Sequence, residues 1–132
     1  MVRPLSILVV DDQVSTRTLI AEALAEDRDA SVMLANDGDH ALRMVLAHRF
    51  DAIVCDVKME PVDGLSFLRA LCGHKQQSIR DIPFIVMATT ASREVVMAAH
   101  QFEAIAIMAK PVSVAMLKAR LQVVRDAKFR PR

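Results

Sequence analysis

Five short apolar runs, separated by longer stretches of helical period, constrain this chain more than any other feature. The runs are LSILVV (5–10), SVMLA (31–35), AIVC (52–55), FIVMA (84–88) and AIAIM (104–108). They are rich in Val and Ile and mostly do not alternate apolar with polar residues, so each must be buried on both faces. Strands of a parallel sheet covered by helices on both sides meet that demand. Between the runs, Leu19, Ile20, Ala23 and Leu24 share one helical face. So do Leu42, Val45 and Leu46; Leu65, Leu68 and Cys72; Val95, Val96 and Ala99; and Val114, Leu117, Leu121 and Val124. Five strands alternating with five helices predict a doubly wound α/β domain.

The 132 residues suit one domain, expected over 1–132 with its core at about 5–125 and a short basic tail at 126–132. The tail belongs to the final RDAKFRPR and reads as a solvated terminus. The formal net charge of +1 gives no global attraction to nucleic acid or acidic membrane. Two cysteines, Cys55 and Cys72, make no disulfide framework and fit a reducing cytoplasm. No apolar run approaches membrane-spanning length, and the N-terminal apolar stretch meets two acids too early for a signal peptide.

In open parallel sheets, sites lie beyond the carboxyl ends of the strands. Asp11 and Asp12 follow the first run, Asn36 and Asp37 the second, and Asp56 the third. Thr89 and Thr90 follow the fourth; Lys110 and Pro111 follow the fifth. Asp11, Asp12 and Asp56 would be neighbours if the first and third strands pair, and three close carboxylates demand compensation. A hard divalent cation such as Mg²⁺ takes carboxylate, carbonyl and water oxygens. Lys110 offers a point charge for a phosphate oxygen, and an Asp carboxylate can serve as the nucleophile of phosphoryl transfer. Each piece alone has an ordinary explanation. The acid pair and the threonines could cap helices, Asp56 could sit in a turn, and Lys-Pro could end a strand. The conjunction of all of them at one sheet edge carries the functional reading.

The segments ILVVDD, DVKMEPVDG and AKP resemble the receiver domain of bacterial two-component response regulators, over roughly residues 5 to 125. The resemblance implies a flavodoxin-like fold with strand order 2-1-3-4-5. It implies Asp56 as phospho-acceptor and Mg²⁺ held by Asp11, Asp12, Asp56 and the backbone carbonyl of Lys58. Lys110 matches the lysine that contacts the phosphoryl group, and Pro111 a proline preceded by a cis bond. Asp63-Gly64 matches the turn into the third helix, where Gly would permit a positive φ. The implied partners are a histidine kinase or histidine phosphotransfer protein, and an output protein bound on the face of the fourth helix, fifth strand and fifth helix. Direct nucleic-acid or membrane binding is not implied, and a monomer or weak dimer is expected.

The chain departs from the family in places. Glu60 holds the slot where a proline is usual, and Pro61 follows. Counting forward from Pro83 or back from Lys110, Ala88 holds the slot of the phosphoryl-binding Ser or Thr, and Thr89 stands one residue later. Ile107 replaces an aromatic residue, and FEA (102–104) replaces a Gly-containing turn. Three readings stay open. The first is a phosphorylation-dependent switch, itself no enzyme beyond assisting its own phosphotransfer and dephosphorylation. The second is a pseudo-receiver scaffold indifferent to phosphorylation. The third is a Mg²⁺-dependent phosphohydrolase, disfavoured because Gln13 and Lys58 stand where a general acid would follow the strand-end Asp. After the fifth helix too few residues remain for a helix-turn-helix output module, so a stand-alone receiver and a fragment of a longer regulator are both expected possibilities.

Overall fold

A computed structural model of the chain describes residues 3–27, 29–58 and 63–129. Five parallel strands, β1 (Leu5–Val10), β2 (Ala30–Ala35), β3 (Ala52–Asp56), β4 (Phe84–Ala88) and β5 (Ala106–Ala109), form one sheet in the order β2-β1-β3-β4-β5. The helices are α1 (Val14–Ala25), α2 (Gly38–Ala47), α3 (Gly64–Cys72), α4 (Gln77–Arg80), α5 (Arg93–Gln101) and α6 (Val114–Lys128). The five expected helices are present. The added α4 is a single turn, too short to show a helical period, and the fourth and fifth amphipathic segments therefore become α5 and α6.

The sheet separates two cores, and successive residues of each strand feed opposite ones. Leu8, Val10, Ile53, Cys55, Phe84 and Val86 meet α2, α3 and α5 through Val45, Phe67, Leu68, Leu71 and Val95. Ile7, Val9, Ala52, Val54, Ile85 and Met87 meet α1 and α6 through Ile20, Leu24, Leu117, Leu121 and Val124. Burial on both faces is why the central runs are uninterrupted by polar residues. The edge strands β2 and β5 are only partly covered. Leu19, Leu46 and Val96, expected in the core stripes, are instead exposed. Their neighbours Ile20, Val45 and Val95 already fill the narrow arc each helix presents to the sheet.

Local chemistry sets the helix starts. Asp37, Asp63, Ser92 and Ser113 accept N–H bonds from His40, Ser66, Val95 and Met116 as N-caps of α2, α3, α5 and α6. The fifth strand starts at Ala106, not at Ala104, because Ala104 belongs to the end of α5. There the Ala104 N–H reaches the Ala99 carbonyl (2.8 Å) and the Glu103 N–H the His100 carbonyl (3.2 Å). This is a Schellman closure, and it places Glu103 in the left-handed region at φ 59°. A glycine normally holds that position; here FEA does the same work with a side chain in a disfavoured conformation.

Gly64 does not have the expected positive φ. Its role is close approach: its N–H donates to the Val57 carbonyl (3.1 Å), and a Cβ there would stand 1.9 Å from the Asp56 carbonyl oxygen. The first turn of α3 is thereby pressed against the end of β3. Glu60 and Pro61, and the tail beyond Phe129, lie outside the described residues.

Two outcomes follow. Glu103→Gly should stabilise the domain by about 0.5–1 kcal/mol in urea unfolding, the relief of the left-handed conformation less the greater freedom of unfolded glycine. Gly64→Ala should cost about 1–3 kcal/mol in the same assay, since backbone must move to admit the methyl group.

Candidate functional site

The order β2-β1-β3 reverses the direction of strand addition at β1, and the crevice beyond β1 and β3 is where an open parallel sheet places its chemistry. Val10 pairs with Cys55, so Asp11 and Asp56 leave the sheet side by side. Ala88 pairs with Ala109, and the Lys110 N–H donates to the Ala88 carbonyl (3.0 Å), which brings Lys110 to the same edge. The Lys110–Pro111 peptide is cis.

These side chains converge. One carboxylate oxygen from each of Asp11, Asp12 and Asp56 lies within 4.8 Å of the others. Asp11 is fully buried and Asp56 is 5% exposed, while Asp12 faces solvent. Lys110 Nζ stands 2.6 Å from Asp11 Oδ2 and 3.0 Å from Asp56 Oδ2. Asp56 Oδ1 accepts the Lys58 N–H (3.3 Å), so the loop after β3 turns back over the carboxylate. Lys110 also donates to Gln13 Oε1 (3.3 Å), and Arg17 Nη1 to the Asp11 carbonyl (2.7 Å).

The charges do not balance: three carboxylates face one bound ammonium. Burial pushes the Asp56 carboxyl above the ordinary aspartate range; the Lys110 hydrogen bond pulls it down, and the Asp11 charge pushes it up again. Burial works against the Lys110 ammonium, yet its contacts with Asp11 and Asp56 outweigh that and hold its pKa above the usual lysine value. The 2.6 Å contact at Asp11 Oδ2 is an ion pair poorly directed as a hydrogen bond, which leaves a buried oxygen with no N–H or O–H aimed along it. A hard divalent cation suits this donor set: clustered anionic oxygens, one exposed on Asp12, in net negative surroundings.

The ordinary explanation of the acid pair fails. Neither Asp11 nor Asp12 caps α1; Gln13 occupies the N-cap without a side-chain bond, and Asp11 Oδ1 instead accepts the Gln13 N–H (2.8 Å). Ser92, not a threonine, caps α5. Thr89 is exposed just past β4, and Ala88 is buried as the last residue of that strand. Ile107 is half-buried against the α5 side of the sheet.

Sequence reasoning weighed Gln13 only as the residue where a phosphohydrolase would carry a general acid; its contact with Lys110 gives no signal until the two are placed side by side. It missed Asp51 at the opposite end of β3. Asp51 is 1% exposed and accepts from Arg3 (2.6 and 2.8 Å) and from the Ser6 N–H (2.8 Å). That end also carries a concavity of about 700 Å³ between the α2–β3 loop and α4. It is far from the acidic edge and holds no cluster of acids.

Comparison with known proteins agrees with this geometry. The family model described as response regulator receiver domain matches residues 7–122. The chain is 28% identical over 123 residues to a probable chemotaxis protein CheY of Rhizobium etli, covering 93% of this chain and 94% of that protein. It is 33% identical to the transcriptional regulatory protein ZraR of Escherichia coli, covering 89% of this chain but only 26% of that longer protein. Vibrio cholerae CheY4 superposes with a TM-score of 0.82 at 29% identity, over 92% of this chain and 98% of that one. Among the described residues, no helix is long and apolar enough to cross a membrane.

The raised Asp56 pKa has a sign. Its contribution to stability is full below the unfolded pKa near 4 and is lost as pH rises through the higher folded value. Without divalent cations, Asp56→Asn should therefore stabilise the domain at pH 7 by about 1 kcal/mol, the scale of one like-charge contact. It should also flatten the fall in stability on the alkaline side of pH 4. Urea unfolding in EDTA across pH 4–7 reads both, and a variant less stable than wild type at pH 7 would contradict the repulsion.

Proposed function

The chain belongs to the response regulator receiver-domain family, and on that premise we propose that it is a phosphorylation-dependent switch of a two-component system with Asp56 as phosphoryl acceptor. The observation that carries the reading is the Lys110 ammonium, shared between Asp11 and Asp56 inside a three-carboxylate cluster. An isolated structural carboxylate needs no such arrangement; one that must receive a doubly charged phosphoryl group does.

In the proposed chemistry an Asp56 carboxylate oxygen bonds to phosphorus as the donor–phosphorus bond breaks, its electrons leaving with the donor. Asp11, Asp12, Asp56 and the Lys58 carbonyl are the proposed Mg²⁺ ligands, and bound Mg²⁺ supplies positive charge against the phosphoryl oxygens. Lys110 takes another phosphoryl oxygen, remaining protonated, as its raised pKa favours. Thr89 is the proposed hydroxyl donor, one residue beyond the slot that Ala88 fills. Water that later bonds to the same phosphorus breaks the Asp56 oxygen–phosphorus bond, restoring the carboxylate and releasing inorganic phosphate, a dephosphorylation the domain is proposed to assist.

The proposed donor is a histidine kinase or histidine phosphotransfer protein in the cytoplasm. The proposed output surface is α5, β5 and α6, which carry exposed Met97 and Met116 and half-buried Ile107. With Ile107 in place of an aromatic ring, the signal is proposed to pass as a packing or order change across residues 89–107. A second reading, a scaffold that binds partners regardless of phosphorylation, is favoured by the buried methyl group of Ala88 where a hydroxyl would sit.

Acetyl phosphate with Mg²⁺ should add one phosphoryl mass to the intact protein. EDTA and Asp56→Asn should each abolish the gain, and Lys110→Ala should slow it by about tenfold or more. Equal labelling of the Asp56→Asn protein would sink the assignment. Partner affinity unaltered by phosphorylation would favour the scaffold.

A further inference from the structure

Lysine 110 has three N–H donors and three oxygens around it. Two are the charged partners, Asp11 Oδ2 and Asp56 Oδ2; the third is Gln13 Oε1 at 3.3 Å. A protonated lysine has no acceptor, so the Gln13 amide must present oxygen to it. Thr16 Oγ1 lies 3.3 Å from the same oxygen, on the first turn of α1, and donates to it. The amide is thus oriented from two sides. The contact spans 97 residues of sequence, from the N-cap of α1 to the residue just past β5.

The placement of these partners matters. Asp11 is fully buried and draws the ammonium inward; Gln13 is exposed and holds it at the rim, where a phosphoryl group on Asp56 would lie. Without Gln13, the shortest and deepest contact, with Asp11, has less to oppose it. The Gln13 side chain caps no backbone N–H of α1 and packs in neither core; its bonds are those to Lys110 and Thr16.

We propose that Gln13, braced by Thr16, is a positioning residue for phosphotransfer: it holds the Lys110 ammonium forward between Asp11 and Asp56, where it can take a phosphoryl oxygen. The inference rests on Asp56 being the acceptor. Transfer from acetyl phosphate forms the Asp56 oxygen–phosphorus bond and breaks the acetyl oxygen–phosphorus bond, with acetate carrying away the electron pair. Gln13 and Lys110 neither gain nor lose a proton in that step.

The test is the rate of Asp56 labelling by acetyl phosphate in the full chain, with Mg²⁺ affinity measured separately by calorimetry. Gln13→Met keeps the length of the side chain and removes the acceptor; Gln13→Ala removes both. Each should lower the maximal labelling rate about two- to tenfold, the kinetic equivalent of one modest hydrogen bond, with Mg²⁺ affinity unchanged. Thr16→Val should lower the rate in the same direction by less. Wild-type rates in the Gln13→Met protein would overturn the inference. So would a loss matched by an equal loss of Mg²⁺ affinity, because Gln13 would then act through the metal ligands. A wild-type protein that takes no label would instead remove the acceptor reading itself, and this inference with it.

Discussion

An ammonium held between two buried carboxylates is the interaction on which the functional end of the molecule depends. Burying Asp11 and Asp56 side by side is unfavourable unless a positive charge stands between them. Lys110 supplies it from the far edge of the sheet, through β5 and its pairing with β4. Three separate strand ends are thereby tied at one point, and Asp11, Asp12, Asp56 and Lys110 share one electrostatic environment. The compensation is incomplete, since Asp12 adds a third carboxylate. That residual negative charge distinguishes this edge from a finished structural ion pair, and it is what the proposed cation and phosphoryl group would answer.

The opposite end of the sheet shows the finished case. Asp51 is as buried as Asp11, but the Arg3 fork and the Ser6 N–H satisfy it. Burial disfavours its charge, yet these partners prevail and hold its pKa below the ordinary value. Arg3 also lies over the Phe129 ring, 5.1 Å from its centroid, so one residue joins the start of the chain to β3 and to the end of α6. One end of the sheet is electrostatically closed and tied; the other keeps uncompensated negative charge.

Much of this was legible beforehand, and the exceptions have physical causes. All five strands and the five longer helices follow from apolar period. The strand-end residues followed from knowing where a parallel sheet puts its carboxyl ends. The exposed Leu19, Leu46 and Val96 escaped because the period marks an apolar arc without fixing how much of it the sheet can cover. Gly64 was read as a conformational residue and proved to be a steric one, a distinction that exists only once α3 is laid against Asp56. Glu103 showed the reverse: the missing glycine was visible in FEA, and the left-handed conformation persists without it because the Schellman bonds and the start of β5 require it.

Local order along the chain determined the element types, the alternation that makes the sheet parallel, and the residues left at the strand ends. Period and composition act over a few residues and need no partner. Which of those ends meet was decided by tertiary packing, because strand order and register are set when two apolar faces are buried at once. Only then do Asp56 and Lys110, 54 residues apart, come within 3.0 Å of each other, and only then does Gln13 reach the same ammonium.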